Sequence, residues 1–110
     1  MEKIVEVKWE EIWPVVNVLN EVCHGININS HESEIGFRYE EILKLLRTLS
    51  QLEDKNENYS NQIIIKLSDN EREIIKNSFE EVFKQIEEWE FQTRIGITIQ
   101  EANEIKKKLV

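Results

Sequence analysis

Ile63-Ile64-Ile65-Lys66-Leu67-Ser68-Asp69-Asn70-Glu71 changes its periodicity halfway along, and that change decides the fold. Its first five residues are β-branched or apolar around one lysine, the composition of a strand. Ser68 with Glu71 three residues on forms a capping box, in which hydroxyl and carboxylate each accept from an otherwise unpaired amide at a helix start. Beyond it Ile75, Phe79, Val82, Phe83 and Ile86 recur at threes and fours, the mark of a helix with one buried face. A short strand therefore runs directly into a helix.

Sixty residues upstream the same pattern appears. Ile4 to Val7 is a second β-like run, and Ile12, Val15, Val16, Leu19, Val22, Cys23 and Ile26 make the apolar stripe of the helix behind it. Without a gap, Ile4, Glu11, Asn17, Glu21, Val22, Ile26, Ile35, Gly36, Glu41 and Leu49 fall on identical residues at Ile64, Glu71, Asn77, Glu81, Val82, Ile86, Ile95, Gly96, Glu101 and Leu109. We read this as an internal repeat. Pro14 is expected to loosen the opening turn of the first helix or to shift its stable start toward Trp13. Gly25 should end that helix, whereas Gln85 at the matching position lets the second helix run on to Glu87 or Glu88. Ile35-Gly36 and Ile95-Gly96 read as ends of short helices with the glycine in the left-handed conformation. Thr98 and Glu101 give another capping box, opening a last helix with Ala102, Ile105 and Leu109 inward. Its counterpart, about Tyr39 to Leu52, buries Ile42, Leu45, Leu46, Leu49 and Leu52.

The expected fold class is mainly α (α+β): two pseudo-symmetric β-α-α-α halves, about 4–50 and 63–110, within a single domain spanning 1–110. A polar linker at 54–61 separates them. An axis perpendicular to the two strands makes them antiparallel, so a two-stranded ribbon should lie on the helices, being marginal by itself.

Composition narrows the function. The chain has 110 residues, 40% apolar and 33% charged, with three Gly and one Pro, which excludes collagen-like and wholly disordered readings. No apolar run approaches the ~18 residues of a membrane span, and the N-terminus lacks a basic stretch followed by a hydrophobic one, so a cytoplasmic location is expected. Cys23 is the only cysteine, which removes an internal disulfide and a cysteine-based metal cage, and it reads as core. Fourteen Lys and Arg against 22 Asp and Glu leave a net charge of −8. That field repels a phosphate backbone and attracts a basic protein, so no direct nucleic-acid contact is expected; ordinary solubility is the competing explanation.

The residues that suggest chemistry do not converge on it. Cys23 lies on the apolar stripe while His24 points ~100° away, so they cannot act together as ligands or as nucleophile and base. His24 suits a helix end, and His31, matching Phe91, suits packing with a polar tip. Glu10-Glu11, Glu40-Glu41, Glu80-Glu81 and Glu87-Glu88 are adjacent pairs that diverge on a helix, with no glycine-rich or nucleophile-elbow motif beside them. We therefore assign no catalytic, metal or cofactor residue and expect a protein that is not an enzyme. Trp9 and Trp13, four apart on one helix, read as core or rim. The remaining feature is the acidic run Glu80, Glu81, Glu87, Glu88, Trp89, Glu90, Phe91, opposed only by Lys84. Glu87, Glu88, Trp89 and Glu90 are the candidate partner-binding residues, the tryptophan as anchor and the carboxylates as steering charges. Trp89 stands where the first copy has Asn29, so the repeat itself does not demand the ring; packing is its competing role.

Asn20-Glu21-Val22-Cys23-His24-Gly25-Ile26 and Glu34-Ile35-Gly36, with Glu90-Phe91-Gln92-Thr93-Arg94-Ile95-Gly96 and Glu101-Ala102, resemble the small bacterial immunity proteins of contact-dependent inhibition and polymorphic toxin systems. The resemblance spans roughly 15–50 and 67–109 and is carried by packing and capping signals. It implies a cytosolic antidote that neutralises one cognate toxin C-terminal domain, often a cationic nuclease, by covering its active site or substrate groove. Contact residues vary from pair to pair in such proteins, so none transfers by motif. Two other readings share some of these features: a self-associating structural or regulatory helical module, marked by an exposed apolar patch, and an acidic DNA mimic.

Overall fold

Alternation in Lys3-Ile4-Val5-Glu6-Val7 sends Val5 and Val7 to one side and Ile4 and Glu6 to the other, and in the computed structural model the first pair is buried and the second exposed. The structure describes residues 2–55 and 62–110. Strand β1 (Lys3–Lys8) leads into α1 (Trp9–Asn20), a π-helical turn (Glu21–Gly25), α2 (His31–Glu34) and α3 (Tyr39–Lys55). Strand β2 (Gln62–Leu67) then leads into α4 (Asp69–Gln85), α5 (Glu88–Ile95) and α6 (Ile99–Leu109). The chain is mainly helical, with one two-stranded antiparallel sheet. Val5 and Ile65, sixty residues apart, are direct cross-strand partners, flanked by Lys3 with Leu67 and Val7 with Ile63. The inner face of this ribbon, Val5, Val7, Ile65 and Leu67, joins a core built from α1, α3, α4, α5 and α6.

The four longer helices open in one way. Glu11, Glu41, Glu71 and Glu101 stand thirty residues apart, each the third residue of its helix, and each accepts the amide of the residue before that helix. The distances are 2.7 Å from Lys8, 3.0 Å from Arg38, 2.8 Å from Ser68 and 3.0 Å from Thr98. At Ser68 and Thr98 the hydroxyl accepts the returning amide at 3.1 Å, completing both expected boxes. Lys8 and Arg38 have no such hydroxyl, so α1 and α3 keep the carboxylate half of the device. Pro14 does not displace the start of α1, which begins at Trp9. Trp9 and Ile12 are buried and hold the first turn, and the carbonyl deprived of its donor belongs to the exposed Glu10.

Asn17 and Asn77 connect the first and second parts of the chain. Asn17 Nδ2 donates to the Ile95 carbonyl at 2.7 Å, and Asn77 Nδ2 donates to the Ile35 carbonyl at 2.8 Å. Both carbonyls end a short helix and precede a glycine with positive φ, +92° at Gly36 and +99° at Gly96. The left-handed glycine stops each helix as expected, and an asparagine from the other part of the chain takes its last carbonyl.

Two further boundaries differ from the sequence reading. Helix α4 stops at Gln85 rather than near Glu87, because Ile86 turns to extended backbone and places its side chain in the core, 3% exposed. Helix α3 runs through residues 54 and 55, so the expected linker 54–61 begins later, and its positions 56–61 lie outside the described residues. The first helix does end at Gly25, through a π-turn: the Ile26 amide reaches back to the Glu21 carbonyl at 2.8 Å. That leaves the Val22 carbonyl to His31 Nε2, 3.0 Å away, and since a carbonyl only accepts, Nε2 carries the proton.

Candidate functional site

Glu87, Glu88, Trp89 and Glu90 occupy the turn into α5, where Ile86 sends the chain outward from the core. Alternate residues there take opposite environments. Phe91 is fully buried, its ring centre 5.5 Å from that of Phe83, while Trp89 is 76% exposed. The indole is held in place: Nε1 donates to Glu87 Oε2 at 2.8 Å. Glu87 and Glu88 are exposed, and neither has an ion-pair partner among the described residues. Glu88 also lies on the lip of a 610 Å³ cleft between the start of α5 and α6, where Asn103, Glu104 and Lys107 face it.

The rest of the acidic run is occupied elsewhere. Glu90 is half-buried and accepts from Arg94 Nη1 at 3.4 Å. Arg94 also reaches Glu21 in the π-turn, with Nε 3.3 Å from Oε2 and Nη2 bonded to Oε1. The Glu21 carboxylate, more than Glu90, pushes the Arg94 pKa upward. Glu80 pairs with Lys106 at 3.1 Å, and Glu81 is buried with its carboxylate accepting from Gln85 at 2.7 Å. Lys84 is thus not the sole opposing charge, and the free negative charge narrows to Glu87 and Glu88. Sequence distance hid the Glu80 pairing, whose cation sits 26 residues away, whereas Arg94, four residues after Glu90 on the same helix, was a readable signal that set Glu90 apart from Glu87 and Glu88.

The other candidates fall where packing puts them. Cys23 is half-buried against the core, and burial pushes its thiol up to about 11, so it stays protonated and unreactive at neutral pH. The His31 ring meets the edge of Tyr39 at 5.1 Å between centres, and the exposed His24 meets the same ring at 6.3 Å. Trp9 is buried, while Trp13 is 50% exposed, a rim position. Among the described residues no group of three or more His, Cys, Asp or Glu is arranged to hold a metal, and no helix is long and apolar enough to cross a membrane. Glu11 carries the most connected carboxylate. Burial alone would raise its pKa, but the Lys8 amide and the Lys108 ammonium outweigh that and hold it below the usual 4.5. Asn17 and Asn77 were visible as matched residues, yet their role required knowing which carbonyls lie opposite.

No protein family, curated protein or solved structure matches this chain.

Proposed function

We propose that this protein is a non-catalytic, cytoplasmic immunity protein that binds a cognate cationic toxin domain, a nuclease by class, and covers its active site or substrate groove. The observation that carries the reading is Trp89: an indole 76% exposed, oriented by Glu87 and flanked by the unpaired Glu88. A large exposed ring contributes little to its own fold, but buried at an interface it supplies the aromatic anchor that dominates binding energy. Two free carboxylates beside it steer a basic partner and fix its orientation. Pairing with Arg94 leaves Glu90 a smaller share of that work.

The test is to sequence the reading frames beside this protein's own for a cationic toxin domain, whose absence counts against the reading, and to co-express that domain with wild type or Trp89→Ala, scoring growth rescue and binding. Rescue by wild type, with weaker binding and an unchanged melting temperature in the mutant, is the expected result. Full binding by Trp89→Ala removes α5 as the contact.

The same reading takes the chain as two internal repeats related by a pseudo-two-fold axis through the Val5–Ile65 pair. Its support is the reciprocity of Asn17 with Ile95 and Asn77 with Ile35, together with the matching glycines. Divergence between repeats then accounts for a partner surface on only one of them, since Asn29 and Ser30 stand where Trp89 and Glu90 do.

A further inference from the structure

The outer face of the ribbon exposes Ile4 and Ile64, 64% and 72% accessible, and among the described residues each strand has one edge without a strand neighbour. The surroundings of the two edges differ. At the junction of β1 and α1, Lys108 of α6 reaches both oxygens of Glu11, at 2.9 and 3.2 Å, and closes α6 against that end of the strand. Sixty residues away in register, Thr48 of α3 stands where Lys108 does, and its hydroxyl is spent on the Lys44 carbonyl of its own helix at 2.9 Å. Among the described residues, the matching carboxylate, Glu71, has only its capping contacts with Ser68. What the ion pair closes on one side is, among the described residues, open on the other: a 210 Å³ groove between α3 and β2, lined by leucines and isoleucines of both elements together with Thr48, Lys66 and Glu71. Proteins ordinarily blunt a strand edge with charge or cover, because a bare one is a template for another strand.

We propose that the β2 edge and this groove form a self-association surface, on which β2 of a second copy adds antiparallel to give a four-stranded sheet about a two-fold axis. The sequence of β2 is what selects a second copy as occupant. Antiparallel pairing centred on Ile65 sets Ile63 opposite Leu67 of the second copy and Ile64 opposite its Lys66. Apolar side chains then stay on the inner face, and the single charge of β2 meets isoleucine rather than its own like. A net charge of −8 opposes self-association in general, but β2 contains one cation and no acid, so pairing this strand with its own copy brings no carboxylates together. A closed two-fold pairing is also the commonest oligomer symmetry. The strand is roughly 20 Å long and, with the groove, offers less than the ~800 Å² per partner of a standard interface, so the dimer dissociates on dilution. This surface lies on elements other than α5 and does not depend on the immunity reading.

Sedimentation velocity of the full chain from micromolar to millimolar concentration tests it. Wild type is expected to pass from monomer to dimer. Thr48→Lys, which places beside Glu71 the ammonium that Lys108 places beside Glu11, should weaken the dimer by roughly tenfold or more. Position 48 is exposed and lysine is the better helix former, so the variant keeps its fold. Ile64→Lys, whose partner within the ribbon is Glu6, should weaken the dimer likewise, and Ile4→Glu, whose partner is Lys66, should not. Amide exchange of wild type supplies an independent measure: β2 gains protection as concentration rises, and β1 does not. A wild type that stays monomeric at millimolar concentration overturns the proposal, as does a Thr48→Lys variant that dimerises normally or an Ile4→Glu variant as damaging as Ile64→Lys.

Discussion

Gly96 has φ +99°, a conformation in which any side chain is strained whatever space surrounds it. Its virtual Cβ would meet only Asn17 Nδ2, at 3.8 Å, so backbone strain rather than collision sets the cost of replacement. Gly96→Val should therefore lower stability by about 1 kcal/mol or more, read as a shift in denaturation midpoint. Glu11 gives a pH prediction. Its pKa is lower in the folded state than unfolded, so the unfolded chain binds the extra proton and stability rises with pH through that range. The contribution is present above the usual glutamate value and is lost as pH falls below it. Glu11→Gln should flatten the stability profile on the acid side of pH 4.5 and leave the neutral side parallel. The residue scale was legible where one residue type has one use. Gly36, Gly96, Ser68 and Thr98 announce themselves by backbone chemistry. Glu80 does not, since a carboxylate's role depends on which cation the fold brings to it.

Element boundaries were legible to the extent that local signals control them. Capping chemistry located the starts of α4 and α6, and the two glycines located the ends of the short helices. Tertiary burial controlled the rest: Ile86 ends α4 because its side chain belongs in the core, and Pro14 is tolerated because Trp9 and Ile12 anchor the turn before it. The π-turn after α1 had no readable signal beyond Gly25. A Cβ at that glycine would collide with the end of the Glu21 side chain, the carboxylate that Arg94 grips, and displace it. Gly25→Ala should thus push Glu21 away from Arg94 and detach α5 from the π-turn. The check is a double-mutant cycle in which Gly25→Ala and Arg94→Ala, each destabilising alone, are less than additive together. Asn17 and Asn77 join elements distant in sequence, and removing either leaves a helix-end carbonyl without its partner. Asn17→Ala and Asn77→Ala should each cost about 1–3 kcal/mol, in similar amounts and with a single unfolding transition. Two separate transitions would show that the two parts of the chain do not depend on each other.

At the scale of the molecule, the proposed immunity function divides its work between net charge, which sets how the toxin domain is met, and one ring, which sets how long it stays. A charge of −8 attracts a cationic domain over the Debye length, about 10 Å at 0.1 M salt, so association with the toxin domain should be fast at low ionic strength and slow as salt rises. Neutralising Glu87, Glu88 and Glu90 together should lower the association rate and flatten its salt dependence, with Glu87 and Glu88 responsible for most of the change because Arg94 already screens Glu90. Trp89→Ala should act on the other half of the reaction: dissociation quickens at a cost on the order of 2 kcal/mol, while association and melting temperature hold. The two variants therefore separate steering from anchoring in stopped-flow and dissociation measurements. On this proposal Glu87 serves both, since it carries charge and also fixes the indole. Glu87→Gln, which keeps an acceptor oxygen for Trp89 Nε1, should slow association without quickening dissociation, whereas Glu87→Ala should do both. Equal association rates at low and high salt would return the charge to a role in solubility and leave the exposed ring without the partner proposed for it.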